Sequence, residues 1–203
     1  MKTMKLILSA AALLALSVPA AFAQSSTSTA DPRPGEIQQR KENQQDRIAQ
    51  GVQSGQLTAG ETKNLERKEA RLNKEERTMR AEDNGHLTAA DRATLNQQQN
   101  AVSKDIYKQK HDAQVQSVNP KSEVGQRQRN QQERIAQGVK SGQLTAGETA
   151  HLEGREAAIH NEVHNDRVAN GGTLTAAERR QVNRQQNRTS GAIYRKKHNA
   201  RVQ

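Results

Sequence analysis

After residue 36, large apolar side chains return at steps of four and seven residues, separated by charged and amide-bearing residues. Ile48 and Val52 mark one stripe, Leu65, Leu72 and Met79 a second, and Leu95, Val102, Ile106 and Ala113 a third. This spacing gathers apolar groups on one side of a helix but scatters them over both faces of a strand. It predicts helices over roughly 36–53, from 59 to about 81, and from 89 onward. The pattern then starts again. Residues Arg40 to Gln116 match Arg127 to Gln203 at a constant offset of 87 without a gap, and between Asn43 and Thr62 only Asp46/Glu133 and Gln53/Lys140 differ. A second set of helices is therefore expected from about Ser122 to Lys140 with Ile135 and Val139, after Thr145 with Leu152, Ile159 and Val163, and after Thr175 with Val182, Ile193 and Ala200. The predicted fold is all-α: two tandem copies of a three-helix unit, as a thin bundle or as extended helical hairpins.

One phrase, Gly-x-Leu-Thr-Ala-x-acid, separates the stripes and occurs four times, beginning at Gly55, Gly85, Gly142 and Gly172. It reads as a helix stop followed by a helix start. Glycine supplies the left-handed residue that ends one helix. Thr58, Thr88, Thr145 and Thr175 are the expected N-caps of the next, with Glu61, Asp91, Glu148 and Glu178 completing capping boxes at the positive end of the helix dipole.

The N-terminus adds a processing signal. Lys2 and Lys5 precede an apolar stretch, Leu6 to Ala20, and Ala21-Phe22-Ala23 has the small-x-small form of a cleavage site. The expected organisation is a signal peptide over 1–23, a Ser/Thr/Pro-rich leader over 24–35, the first helical repeat over 36–116, a linker over 117–125 around Pro120, and the second repeat over 126–203. A periplasmic or secreted location follows, with no transmembrane segment after cleavage.

Composition narrows the function. The net charge of +10 falls to +8 when Lys2 and Lys5 leave with the signal, and acids and bases alternate in runs such as Glu66-Arg67-Lys68-Glu69 and Lys74-Glu75-Glu76-Arg77. Such runs read as solvated helix faces. No cysteine is present, so there is no disulfide, and Tyr107 and Tyr194 are the aromatic residues that remain after the signal. A core this thin leaves little surplus over chain entropy, which directs attention to thin bundles and self-association. No nucleophile elbow, phosphate loop or paired acids in an apolar pocket are legible, so the chain is not read as an enzyme and no cofactor is expected.

The strongest binding candidate is present twice. Tyr107, Lys108, Lys110 and His111 end the third helix, and Tyr194, Arg195, Lys196, Lys197 and His198 end the sixth. Cations beside one aromatic ring suit phosphate or carboxylate polymers. The alternative is a tyrosine packed on the bundle end with lysines complementing the helix C-terminus. Export and the scarcity of aromatics point away from nucleic acid and toward anionic envelope components. For metal, His160 and His164 stand four residues apart, an acceptable spacing for two ligands, but the first copy has Asn73 and Arg77 at the matching positions.

Three resemblances rest on these residues. The phrase Gly-x-Leu-Thr-x-x-acid resembles the second half of an EF-hand calcium loop, which implies weak calcium binding. The first half departs from that pattern, with Gln50, Val52 and Ser54 where oxygen ligands are needed. Leu57-Thr58-Ala59-Gly60-Glu61 and its counterparts resemble the Leu-Thr-x-x-Gln motif of periplasmic helical stress proteins, with an acid in place of the glutamine. That resemblance implies a chaperone-like role with unfolded proteins as clients. The segment from Arg47 to Glu61 also looks like uncharacterised exported bacterial helical repeat proteins, which implies no activity. The expected function is non-enzymatic: an exported helical binding or structural protein.

Overall fold

The computed structural model describes residues 35–119 and 121–201, which form six α-helices and no strand. The expected signal peptide, and the leader up to residue 34, lie outside the described residues. The helices are α1 (Glu36–Ser54), α2 (Ala59–Glu82), α3 (Ala89–Lys110), α4 (Glu123–Lys140), α5 (Ala146–Ala169) and α6 (Ala176–Lys197). Among the described residues, no helix is long and apolar enough to cross a membrane.

Local chemistry sets the boundaries. The Glu61 amide donates to Thr58 Oγ1, and the Thr58 amide donates back to Glu61 Oε2 at 2.8 Å, so two orphan amides at the start of α2 are satisfied. The same reciprocal pair opens α3, α5 and α6. Gly55, Gly85, Gly142 and Gly172 take φ values of 74°, 89°, 69° and 96°, in the left-handed region that a side chain disfavours. α4 begins at Glu123 on a Ser122 cap, where the sequence places the start of that helix. One expectation needs correction. α3 and α6 stop at Lys110 and Lys197 with His111 and His198 as C-caps, leaving Ala113 and Ala200 exposed beyond them. The buried stripe ends at Ile106 and Ile193, so nothing apolar remains to hold another turn.

The core draws on loops as well as helices. Leu57 and Leu144, from the capping phrases, are fully buried against helix glycines. A Cβ at Gly51 or Gly138 would stand 2.6 Å from the Cδ1 of Leu57 or Leu144. A mid-helix glycine costs about 1 kcal/mol relative to alanine. Here it makes room for a leucine whose burial contributes roughly 1.5–3 kcal/mol.

The closest helix pairing is not within either repeat: α2 packs most extensively on α5, and α1 on α4. Accordingly, Ala136 of α4 joins the cluster of Ile48, Leu65, Leu95 and Ile106, while Ala49 of α1 joins that of Ile135, Leu144, Leu152 and Ile193. The described residues belong to one compact unit.

Amides fill much of what the sparse apolar stripes leave. Gln44 Nε2 donates to the Gln99 carbonyl at 2.8 Å, and Gln99 Nε2 donates to the Ile37 carbonyl at 2.9 Å. Gln131 and Gln186 repeat the ladder onto the Gln186 and Val124 carbonyls. The reading of the acidic runs as solvated is also corrected. Glu66, Glu69 and Glu76 are buried, as are Glu153 and Glu156, because the contact between α2 and α5 covers the helix face that carries them.

Within the apolar stripe, Leu72 is 6% exposed in the cluster of Leu65 and Val102. Leu72→Ala is expected to lower stability by about 2–4 kcal/mol in denaturant melts. A midpoint equal to that of the parent chain would show that the α2 stripe is not core.

Candidate functional site at two helix ends

The cations expected at the ends of α3 and α6 come together with partners from other helices. Tyr107 and Tyr194 are 61% and 60% exposed, so neither packs on the bundle end. Each ring instead stacks on the histidine four residues later: the Tyr107 and His111 centroids are 4.2 Å apart, as are those of Tyr194 and His198. The histidines are fixed in turn, with Nδ1 of His111 and His198 each 2.7 Å from the Tyr107 or Tyr194 carbonyl. The result is a water-facing aromatic plate beside each helix terminus.

Lys110 lays its stem on Gly51, and Lys197 lays its stem on Gly138. Burial, followed by the charge of Arg47, lowers the pKa of the Lys110 ammonium. Burial and Arg134 do the same for Lys197. The sequence reading missed both arginines because they sit on α1 and α4, far from the helix ends in the chain. Arg47 donates to the Ser103 hydroxyl and to the Ser103 carbonyl at 3.0 Å, and Arg134 donates to the Ser190 carbonyl at 3.2 Å. Serine neighbours fix these guanidinium groups without neutralising them. Arg47 also lines a shallow depression of about 220 Å³ together with Arg40. Like charges held together in this way stabilise a bound anion and cost energy without one.

Not every expected cation is available. Lys108 and Arg195 are exposed. Lys196 lies 3.8 Å from Glu148 Oε1, to which Asn199 also donates at 2.7 Å. The patch on α6 therefore rests on Arg134, Arg195 and Lys197.

The other candidates are placed as follows. The acids of the capping phrases turn onto their own helix starts: Glu61 Oε2 accepts from both the amide and the hydroxyl of Thr58. Burial pushes the Glu148 carboxyl up, but hydrogen bonds from Asn199 and Thr145 and the charge of Lys196 bring it below the usual range. His160 and His164 line one depression of about 230 Å³ with Arg167 and the linker. Burial lowers the His160 pKa, and the charges of His164 and Arg167 lower it further. Among the described residues, no three His, Cys, Asp or Glu side chains converge on a metal-sized space.

Comparisons with family models, with curated proteins and with solved structures found no match.

Proposed function

We propose that the protein is a non-enzymatic, exported helical scaffold of two tandem three-helix units that binds anionic polymers of the cell envelope through its two cationic, tyrosine-bearing helix ends. The observation that supports this reading is the convergence, made twice, of an arginine from one helix and a lysine from another beside an exposed aromatic plate. Each site alone offers a few screened charges. Two sites on one compact unit add avidity toward a polymer long enough to reach both.

The test is titration with lipopolysaccharide at 50 and 200 mM salt. Binding is expected to weaken steeply with salt. Lys110→Glu with Lys197→Glu is expected to reduce affinity more than about tenfold, beyond the loss from either change alone. Unchanged binding by the double variant, or binding indifferent to salt, would overturn the proposal.

A chaperone-like role draws less support. Among the described residues the exposed large apolar side chains are Tyr107, Val115, Val168 and Tyr194, single positions at helix ends and in the linker rather than a client-sized surface. Suppression of a model substrate's aggregation at equimolar ratio would favour it.

A further inference from the structure

The linker and its counterpart groove break the likeness between the copies. In the second copy, the space beside α4, α5 and the end of α1 is divided by the linker into depressions of about 330 and 230 Å³, with Val118 lining both. Gln116 anchors the segment. Its amide donates to the Gly55 carbonyl at 2.9 Å, its Oε1 accepts from the Ala59 amide at 2.8 Å, and its Nε2 lies 3.4 Å from His160 Nδ1.

The matching groove in the first copy lies between α1, α2 and the end of α4. It is a single space of about 480 Å³, large enough for several residues of extended chain. At its floor stands Asn73, the counterpart of His160, with Gln45 and Glu69 beside it. Asn73 Oδ1 is buried and has no hydrogen-bond partner among the described residues. Gln45 Oε1 and Glu69 Oε1 are also unpartnered, but so are Gln132 and Glu156 at the matching positions of the second copy, so Asn73 is where the two grooves differ. A buried acceptor left in that state costs about 1–3 kcal/mol.

The entry path also differs. Asn119 passes so close to α4 that a Cβ on Gly125 would stand 1.9 Å from its carbonyl oxygen. The first copy carries Gln38 at this position, where a segment following the course of Asn119 would meet a side chain. The walls carry both signs, with Lys41, Arg77 and Lys140 against Glu42, Asp46 and Glu76, so a strongly charged polymer of either sign gains little there.

We infer that this groove is a docking site for an extended, predominantly uncharged polypeptide segment of a partner, one bearing a side-chain amide that donates to Asn73 as Gln116 donates toward His160 in the second copy. It is separate from the cationic helix ends and makes a different demand: N–H donors rather than anionic charge.

The probe is the chain's own solution to the same problem, a synthetic peptide spanning Val115 to Lys121, titrated calorimetrically into the full chain. One peptide per chain is expected. Asn73→Leu should weaken binding about tenfold or more, Asn73→His should hold it within about threefold, and a peptide with leucine in place of its glutamine should lose about tenfold. Ser141→Trp, at an exposed position on the groove's edge, should block binding without touching the core. Saturation at two peptides per chain, absence of saturable binding, or Ser141→Trp and Asn73→Leu variants that bind as the parent does would each overturn the assignment.

Discussion

Raising the pH from 5 to 8 is expected to destabilise the folded chain by several kcal/mol, the reverse of the behaviour of a protein held by ion-paired carboxylates. The cause is the set of acids covered by the packing of α2 and α5. Burial pushes Glu153 up to about 8, against a hydrogen bond from Gln132. Burial and the charge of Glu153 push Glu156 to about 8. Burial pushes Glu69 to about 7, opposed by Lys41. Burial, then Glu69, raises Glu66 well above its ordinary value, with Glu153 adding to the shift and the Gln45 bond opposing it. Each carboxyl is held as the acid in the folded state and ionises near 4.5 when unfolded. Their contribution is thus full below about pH 4.5 and is lost as pH rises, through about 7 for Glu69 and about 8 for Glu153 and Glu156, with Glu66 acting in the same direction, at up to about 1.4 kcal/mol per pH unit for each group. Glu76 acts in the opposite sense. Burial pushes it up, but the hydrogen bonds and charges of Lys41 and Arg80 outweigh burial and bring it below the usual range, so it favours folding until the pH falls through its own pKa. Maximum stability should therefore lie on the acid side of neutral. Glu66→Gln combined with Glu153→Gln should raise the melting temperature at pH 8 by roughly 4–8 °C, corresponding to about 2 kcal/mol, and flatten the profile. A chain that melts higher at pH 8 than at pH 5 would show that these acids are hydrated.

Gly125→Gln, which gives the second copy the residue of the first, is expected to drive the linker out of its groove. The offending contact is with backbone, 1.9 Å to the Asn119 oxygen and 2.8 Å to its carbonyl carbon, so no rotamer change relieves it. Displacement breaks the Gln116 bonds to Gly55 and Ala59 and uncovers the depression around His160. Stability should fall by about 1–3 kcal/mol, as for overpacking elsewhere. Trypsin cleavage after Lys121 should accelerate at least about tenfold while helicity is retained, because protease reads the local opening. Equal cleavage rates and melting temperatures in the two proteins would mean that the linker is not held where Asn119 meets Gly125.

The sequence carried the helices clearly and the interfaces poorly. Glycine, threonine and an acid at fixed spacing are a local code, and the starts of α2, α3, α5 and α6 fall at the residue after each capping threonine. The acidic runs misled because charge alternation looks alike on a solvated face and on a face covered by another helix. Glu66 and Glu153 differ from their exposed neighbours only in lying toward that contact, which no local pattern reports. The arginines of the candidate site were hidden for a related reason: Arg47 meets Ser103 across 56 positions of chain. One signal was legible in retrospect. Gln44, Gln99 and their counterparts stand four residues from Ile48, Leu95, Ile135 and Val182, in step with the apolar stripe, which is where a buried amide belongs.

The amide ladder gives α1 an address. Apolar side chains tolerate a helix sliding along its neighbour, but Gln44 and Gln99 each require a particular main-chain carbonyl, and a slip by one turn would strand both donors. The register of α1 along α3 is thereby fixed by a few directional bonds in a protein whose apolar surface is too sparse to fix it. Because α4 and α6 carry the same ladder, the address names a position and not a copy, and what keeps α1 on α3 rather than on α6 is the connection through α2 together with the packing of α1 on α4.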